Sequence, residues 1–289
     1  MSGPGHPAGT RTPRRAVTLA VTSGKGGVGK TSVVVNLAVA LARMRNRVTI
    51  LDADFGLGNV DVMLGLSPTR HLGDLLNGDL DLDDIVVEGP FGLRLIPASS
   101  GLRELTALSS RQWERLNEGL RQALAETDFL LMDTGAGISS NVIDVLNGAD
   151  RVMVVTSLEP TAVVDAYAMV KILTGCNPAR ETGLLVNGAR DQAEADLVFK
   201  QLDIAATRFL QRRLHSYGHI PTDSAVREAV LAQQAVVTHA PEAPASQCFR
   251  RLATRVSAMA PLGGPGLRLA PPAGPVSTTR SGLGASQCA

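Results

Sequence analysis

The chain has 289 residues, enough for one large domain or two ordinary ones, and its 44% hydrophobic and 19% charged residues exclude a wholly disordered polypeptide. Its formal charge of +1 hides a division, because Arg11, Arg14, Arg15, Arg268 and Arg280 lie in terminal stretches that hold no acid; without those five, the 28 basic residues fall to 23 against 27 acidic ones. A body of that sign is a poor nucleic-acid binder, since phosphate neutralisation supplies most nonspecific affinity. Cys176, Cys248 and Cys288 are widely spaced and make no C-x-x-C pair. They exclude a disulfide framework or thiolate metal site and read as reduced thiols of a cytoplasmic protein. The five histidines lack metal-ligand spacing. No run approaches the roughly 18 apolar residues of a membrane span.

Residues 1–15 are rich in Gly, Pro and Arg and read as a disordered basic tail. Val17–Thr22 follows as a short continuous apolar strand. Directly after it comes Gly24-Lys25-Gly26-Gly27-Val28-Gly29-Lys30-Thr31-Ser32, which matches G-x-x-x-x-G-K-[ST] between a strand and a helix over 30–43. The glycines let successive backbone N–H groups turn inward around phosphate oxygens, and the helix start directs its positive end at the same anion. Lys30 is expected to reach the β- and γ-phosphates of a nucleotide, and the Thr31 hydroxyl to ligate Mg²⁺. Lys25 is not needed by an ordinary loop of this kind and has no obvious task within its own subunit.

A second strand, Val48–Asp52, runs into Asp52-Ala53-Asp54 and a loop over 56–61. A carboxylate beyond a strand end can orient water or help hold Mg²⁺. Leu93–Pro97 reads as a further strand, and 110–126 as a helix that opens on a capping box of Ser109 and Gln112. Leu108 and Trp113 form its staple; Trp113, Leu116, Leu120 and Leu124 share one face, which makes the lone tryptophan a core anchor. The strand Phe129–Asp133 ends in an aspartate placed near Mg²⁺, in the manner of a Walker B element, and is followed by Thr134-Gly135-Ala136-Gly137. Strands over Val152–Ser157, Gly183–Asn187 and Tyr217–Pro221 alternate with helices at 139–148, 161–174, 192–213, 223–231 and 245–260. In the last helix, Phe249, Leu252, Val256 and Met259 make an apolar stripe beside Arg250, Arg251 and Arg255, suited to docking on the domain or to membrane or partner contact. Residues 261–289, with five of the 16 prolines, read as a disordered Pro/Gly-rich tail. Continuous apolar strands alternating with helices predict an α/β fold, a doubly wound and mostly parallel sheet with helices on both faces.

The lysine-bearing loop Lys25-Gly26-Gly27-Val28-Gly29-Lys30-Thr31 resembles the deviant Walker A motif of the MinD/ParA family of dimerising ATPases, over about residues 16–260. The resemblance implies a P-loop ATPase domain there, with ATP and Mg²⁺ as cofactors and an ATP-dependent homodimer. It also implies that Lys25 acts catalytically in trans, on nucleotide bound to the partner subunit. Asp54 would position the attacking water, with Asp52 supporting metal-bound water beside Thr31 and Asp133. Asn187 and Pro221 stand where the family contacts adenine; Asn187 also fits a strand-end turn former. Gly135 occupies the place where MinD-like sequences usually have proline.

Leu158-Glu159-Pro160-Thr161 with Asp165-Ala166-Tyr167-Ala168 is similar to the FlhG (FleN) branch, flagellar-number regulators. That likeness implies partners such as a flagellar signal-recognition-type GTPase, switch-complex (C-ring) proteins or a flagellar transcription activator, and possible peripheral contact with the inner face of the cell membrane. Asp191-Gln192-Ala193 lacks the Leu-Arg of the branch's GTPase-activating segment. ParA-type DNA segregation and MinD-type division-site selection are the rival readings.

Overall fold

The computed structural model describes residues 15–55, 58–78, 80–98, 108–262, 267 and 269. Strands β1 (Val17–Ser23), β2 (Val48–Ala53), β3 (Val87–Glu88), β4 (Arg94–Ile96), β5 (Phe129–Ala136), β6 (Arg151–Thr156), β7 (Glu181–Ala189) and β8 (His215–Pro221) form one sheet. Their order is β3-β4-β2-β5-β1-β6-β7-β8. Only β3 against β4 is antiparallel; the other pairs are parallel. The helices are α1 (Lys30–Arg43), α2 (Val60–Leu64), α3 (Leu72–Asn77), α4 (Leu82–Ile85), α5 (Ser110–Ala125), α6 (Ser140–Gly148), α7 (Pro160–Cys176), α8 (Gln192–Leu210), α9 (Ser224–Leu231), α10 (Val236–His239) and α11 (Pro244–Ser257).

The central strands β1, β2 and β6 are buried along their whole length because both faces of the sheet are covered there. Leu19 and Val21 of β1 and Leu131 of β5 bury under α1, α10 and α11. Their neighbours Ala20, Leu130 and Met132 bury on the other side, under α5, α6 and α7. From β1 the chain builds one half of the sheet through β2, β4 and β5 and the other half through β6, β7 and β8. That reversal opens a crevice at the carboxyl end of β1, where doubly wound folds bind ligands.

Each strand expected from the sequence forms, with ends displaced by at most three residues, and so do the seven expected helices. The sequence did not reveal β3, α2, α3, α4, α10 or the 3₁₀ turn Pro90–Gly92. The capping box is present: Ser109 N donates to Gln112 Oε1 at 2.9 Å, and Gln112 N donates to Ser109 Oγ at 3.4 Å. Trp113, Leu116 and Leu120 are buried, with Leu108 and Leu124 packed on the same cluster. The apolar stripe of α11 docks on the domain: Phe249, Leu252 and Val256 are buried in the cluster shared with α1, and Arg255 donates to the Tyr217 carbonyl of β8 at 3.1 Å. With the stripe covered, any membrane contact falls to other residues.

The tails expected over 1–15 and 261–289 lie outside the described residues except for Arg15, Pro261, Leu262, Leu267 and Leu269. Arg15 bonds Asp150 at 2.8 Å and the Leu262 carbonyl. Leu269 is buried, which an unpatterned Pro/Gly-rich sequence did not foretell. No helix among the described residues is long and apolar enough to cross a membrane.

Candidate functional site

The loop between β1 and α1 is shaped by its glycines. Gly27 and Gly29 hold φ of 78° and 91°, in the left-handed region that favours glycine. A Cβ at Gly24 would stand 2.2 Å from the Asp165 carbonyl oxygen, so only glycine lets α7 lie this close to the loop. The Ser23 hydroxyl donates to the Lys25 carbonyl at 2.7 Å and fixes the turn. Gly26, Val28 and Ser32 complete the cradle, whose helix begins at Lys30 with no side-chain cap on its N-terminus. Those uncapped N–H groups suit an anion.

Lys30 is buried, and burial lowers its pKa while Asp133 and Asp54 pull it back up. Asp133 ends the apolar part of β5, and strand register sets Asp52 beside it on β2. Burial pushes the Asp133 carboxyl up to about 7, opposed by a hydrogen bond from Thr31 and by Lys30. Burial and the Asp133 charge push Asp52 to about 7 as well. Asp52 accepts from Asp54 N at 3.1 Å and Val60 N at 3.4 Å, so it ties the loop before α2 to the strand end. Asp54 lies across from Gly135, where an added Cβ would come within 3.6 Å of its Oδ1. Thr134 Oγ1 donates to the Val21 carbonyl at 3.1 Å, and Gly137 N to the Ser23 carbonyl at 2.9 Å. The end of β5 and the turn after it are therefore stitched to the end of β1, just before the phosphate loop.

These residues fit a magnesium nucleotide. Asp133 Oδ1 is buried with no hydrogen-bond partner among the described residues, and the Thr31 hydroxyl is beside the same carboxylate. Among the described residues no three His, Cys, Asp or Glu side chains form a metal cluster of their own. Mg²⁺ needs none, because it takes one or two protein oxygens together with substrate phosphates and water.

Two expected residues have partners within the chain that the sequence did not reveal. Lys25, read as idle within its own subunit, forms an ion pair with Glu159 and donates to Thr161 Oγ1 at 3.0 Å. The Asn187 amide donates to the Val28 carbonyl at 2.7 Å, so it braces the phosphate loop from the end of β7. Pro221 ends β8 beside Ala189 on the same edge of the crevice. Sequence reasoning missed Ser23, Glu159 and Thr161 as parts of this site. Glu159 and Thr161 were visible at the start of a helix, but nothing local linked them to a lysine more than 130 positions earlier.

The family model described as an AAA domain matches residues 16–180. The antiactivator FleN of Pseudomonas aeruginosa is 42% identical over 238 residues, 82% of this chain and 85% of that protein. The flagellum site-determining protein YlxH of Helicobacter pylori is 33% identical, over 81% of this chain and 80% of that protein. Among solved structures, the MinC:MinD cell division complex of Aquifex aeolicus superposes with a TM-score of 0.68 at 25% identity, covering 86% of this chain and 99% of that one. The septum site-determining protein MinD of Pyrococcus horikoshii, complexed with Mg-ADP, gives 0.69 at 24% identity, covering 84% and 96%.

Proposed function

The chain belongs to the MinD/ParA family of P-loop ATPases, and from that premise we propose that it is an ATP-driven switch setting the number or placement of bacterial flagella. It is an ATPase that uses ATP with Mg²⁺. The observation that carries the assignment of roles is the buried Lys30 at the start of α1, where the charges of Asp133 and Asp54 act on it. A buried cation there needs an anion, and the uncapped start of α1 adds further donors for one. Lys30 and the loop N–H groups bind the phosphates; Thr31, Asp133 and Asp52 hold Mg²⁺ directly or through water; Asp54 orients the attacking water. When bound, Mg²⁺ neutralises phosphate charge. Asn187 keeps the loop in shape, and Pro221 bounds the adenine side of the crevice.

ATP joins two subunits, with Lys25 reaching the partner's phosphates. Flagellar partners are a signal-recognition-type GTPase, C-ring proteins or a transcription activator, FleN itself being named an antiactivator. Any peripheral membrane contact is made outside the buried stripe of α11. Lys30→Ala should weaken Mg·ATP binding at least about a hundredfold by calorimetry while circular dichroism stays unchanged, the scale of losing a charge-assisted phosphate contact. In the host, the same substitution should change flagellar number per cell. Unchanged flagellation with misplaced septa or lost DNA segregation would favour the MinD or ParA readings.

A further inference from the structure

Helix α5 forms a groove with α3 and α4. Leu75, Leu82 and Trp113 form its apolar floor, all buried. Arg115 fastens its rim by donating to the Gly78 and Leu80 carbonyls at 3.0 and 3.2 Å. Gly119 lets α4 approach: a Cβ there would meet that of Leu82 at 3.1 Å.

This groove is already partly occupied. Leu269 lies in it at 1% exposure, and Leu267 packs on the same cluster two positions earlier. The Asn117 side chain grips the backbone of Leu269 on both sides: Nδ2 donates to the Leu269 carbonyl at 2.8 Å, and Oδ1 accepts from Leu269 N at 2.9 Å. A third bond, from Nδ2 to the Trp113 carbonyl at 2.9 Å, fixes which way the amide faces. Asn117 thus pairs with a main chain as a neighbouring strand would, so it reads extended backbone while the apolar floor reads the leucine. Among the described residues, Leu267 and Leu269 leave a cavity of about 1030 Å³ beside them, and Trp113 Nε1 is buried with no acceptor.

We infer that the α3–α4–α5 groove is a docking site for an extended segment with leucines two positions apart, and that Leu267–Leu269 of the chain's own tail is its resident, displaceable occupant. Three features support displacement over permanent packing. The tail is joined to α11 by a Pro/Gly-rich stretch, 261–266, which suits a tether. Among the described residues, its hydrogen bonds in the groove are those of the Leu269 backbone, and a large cavity stays beside it. A tethered ligand competes at a high effective concentration, so a free segment of the same pattern binds only when the tail leaves.

The chain's single tryptophan sits in this groove and reports on it. The full chain carrying Leu267→Ser and Leu269→Ser should show Trp113 emission shifted to the red, with unchanged circular dichroism. A fluorescein-labelled peptide of residues 265–272 should bind that variant at least tenfold more tightly than it binds the wild-type chain, and should reverse the emission shift. Asn117→Ala, added to the emptied variant, should weaken the peptide at least fivefold; in the otherwise native chain it should produce the red shift by itself. Equal peptide affinity for native and emptied chains, absence of binding to the emptied chain, or binding that leaves Trp113 unchanged would each overturn the inference.

Discussion

Asp52 and Asp133 are neighbouring carboxylates in a site with little solvent, and their charge has two costs there, desolvation and repulsion from nearby carboxylates, Asp133 and Asp54 acting on Asp52 and Asp54 on Asp133. Nucleotide-bound Mg²⁺ held by these carboxylates would relieve both; without it the folded chain bears them. With Asp52 at 3.8 when unfolded and about 7 when folded, folding takes up protons between those values. Stability without metal must therefore fall as pH rises from about 4 to 7, then level off. Asp52→Asn retains an acceptor for the Asp54 amide and removes one of the two charges. In EDTA, the Tm of this variant should decline less between pH 5 and 7 than that of the native chain, and exceed it by several degrees at pH 8. Parallel curves would contradict the assignment. Asn187 tests a different quantity, the shape of the loop. Its single bond to Val28 is a neutral hydrogen bond, worth about 1 kcal/mol. Asn187→Ala should therefore weaken ATP about fivefold by calorimetry without the near-total loss expected for Lys30→Ala.

Elements that a short window of sequence can specify were legible, and those that depend on distant partners were not. The phosphate loop was readable because consecutive residues make it, and β1, β5 and β6 because each is a continuous apolar run. Helices α2, α3 and α4 have five, six and four residues, too few for a 3.6-residue period to show. Strand β3 has two residues and exists only by pairing with β4. The same limit hid the tail segment under Asn117, since its partner lies 152 positions away. For α11 the sequence left docking and membrane contact both open, and packing decided between them: Phe249 is 1% exposed, against α1 and β8. Truncating such a side chain costs about 3–5 kcal/mol. Phe249→Ala should lower Tm by roughly ten degrees or more in a chain that carries no lipid. A variant with native Tm and reduced vesicle binding would assign the stripe to a membrane instead.

At the scale of the molecule, the question is whether ATP joins two copies through Lys25. The structure holds this lysine in cis, paired with Glu159 and Thr161. That hold is weak, because the two side chains are 37% and 65% exposed, and ion pairs so exposed contribute about 0–1 kcal/mol. A lysine desolvated against phosphate at an interface is worth more; losing such a contact costs about 2–5 kcal/mol. On the proposed mechanism the trans contact would therefore outweigh the cis one when a γ-phosphate is present, and Glu159 would keep the lysine at the start of α7 until then. ADP lacks the γ-phosphate and holds the interface less well, so assembly follows the nucleotide by mass action. A symmetric pair also suits the site, since each subunit offers the same loop to the other. Because hydrolysis would dissolve the pair, Asp54→Ala supplies the stable form: it should turn over ATP at least about tenfold more slowly and remain dimeric with ATP while mostly monomeric with ADP. Adding Lys25→Ala should return it to a monomer that still binds ATP, because Lys30 and the loop amides are intact. Light scattering on the native chain, the single variant and the double variant in each nucleotide decides the matter. A dimer indifferent to both nucleotide and Lys25 would leave the lysine with its cis partners Glu159 and Thr161 and end the trans mechanism.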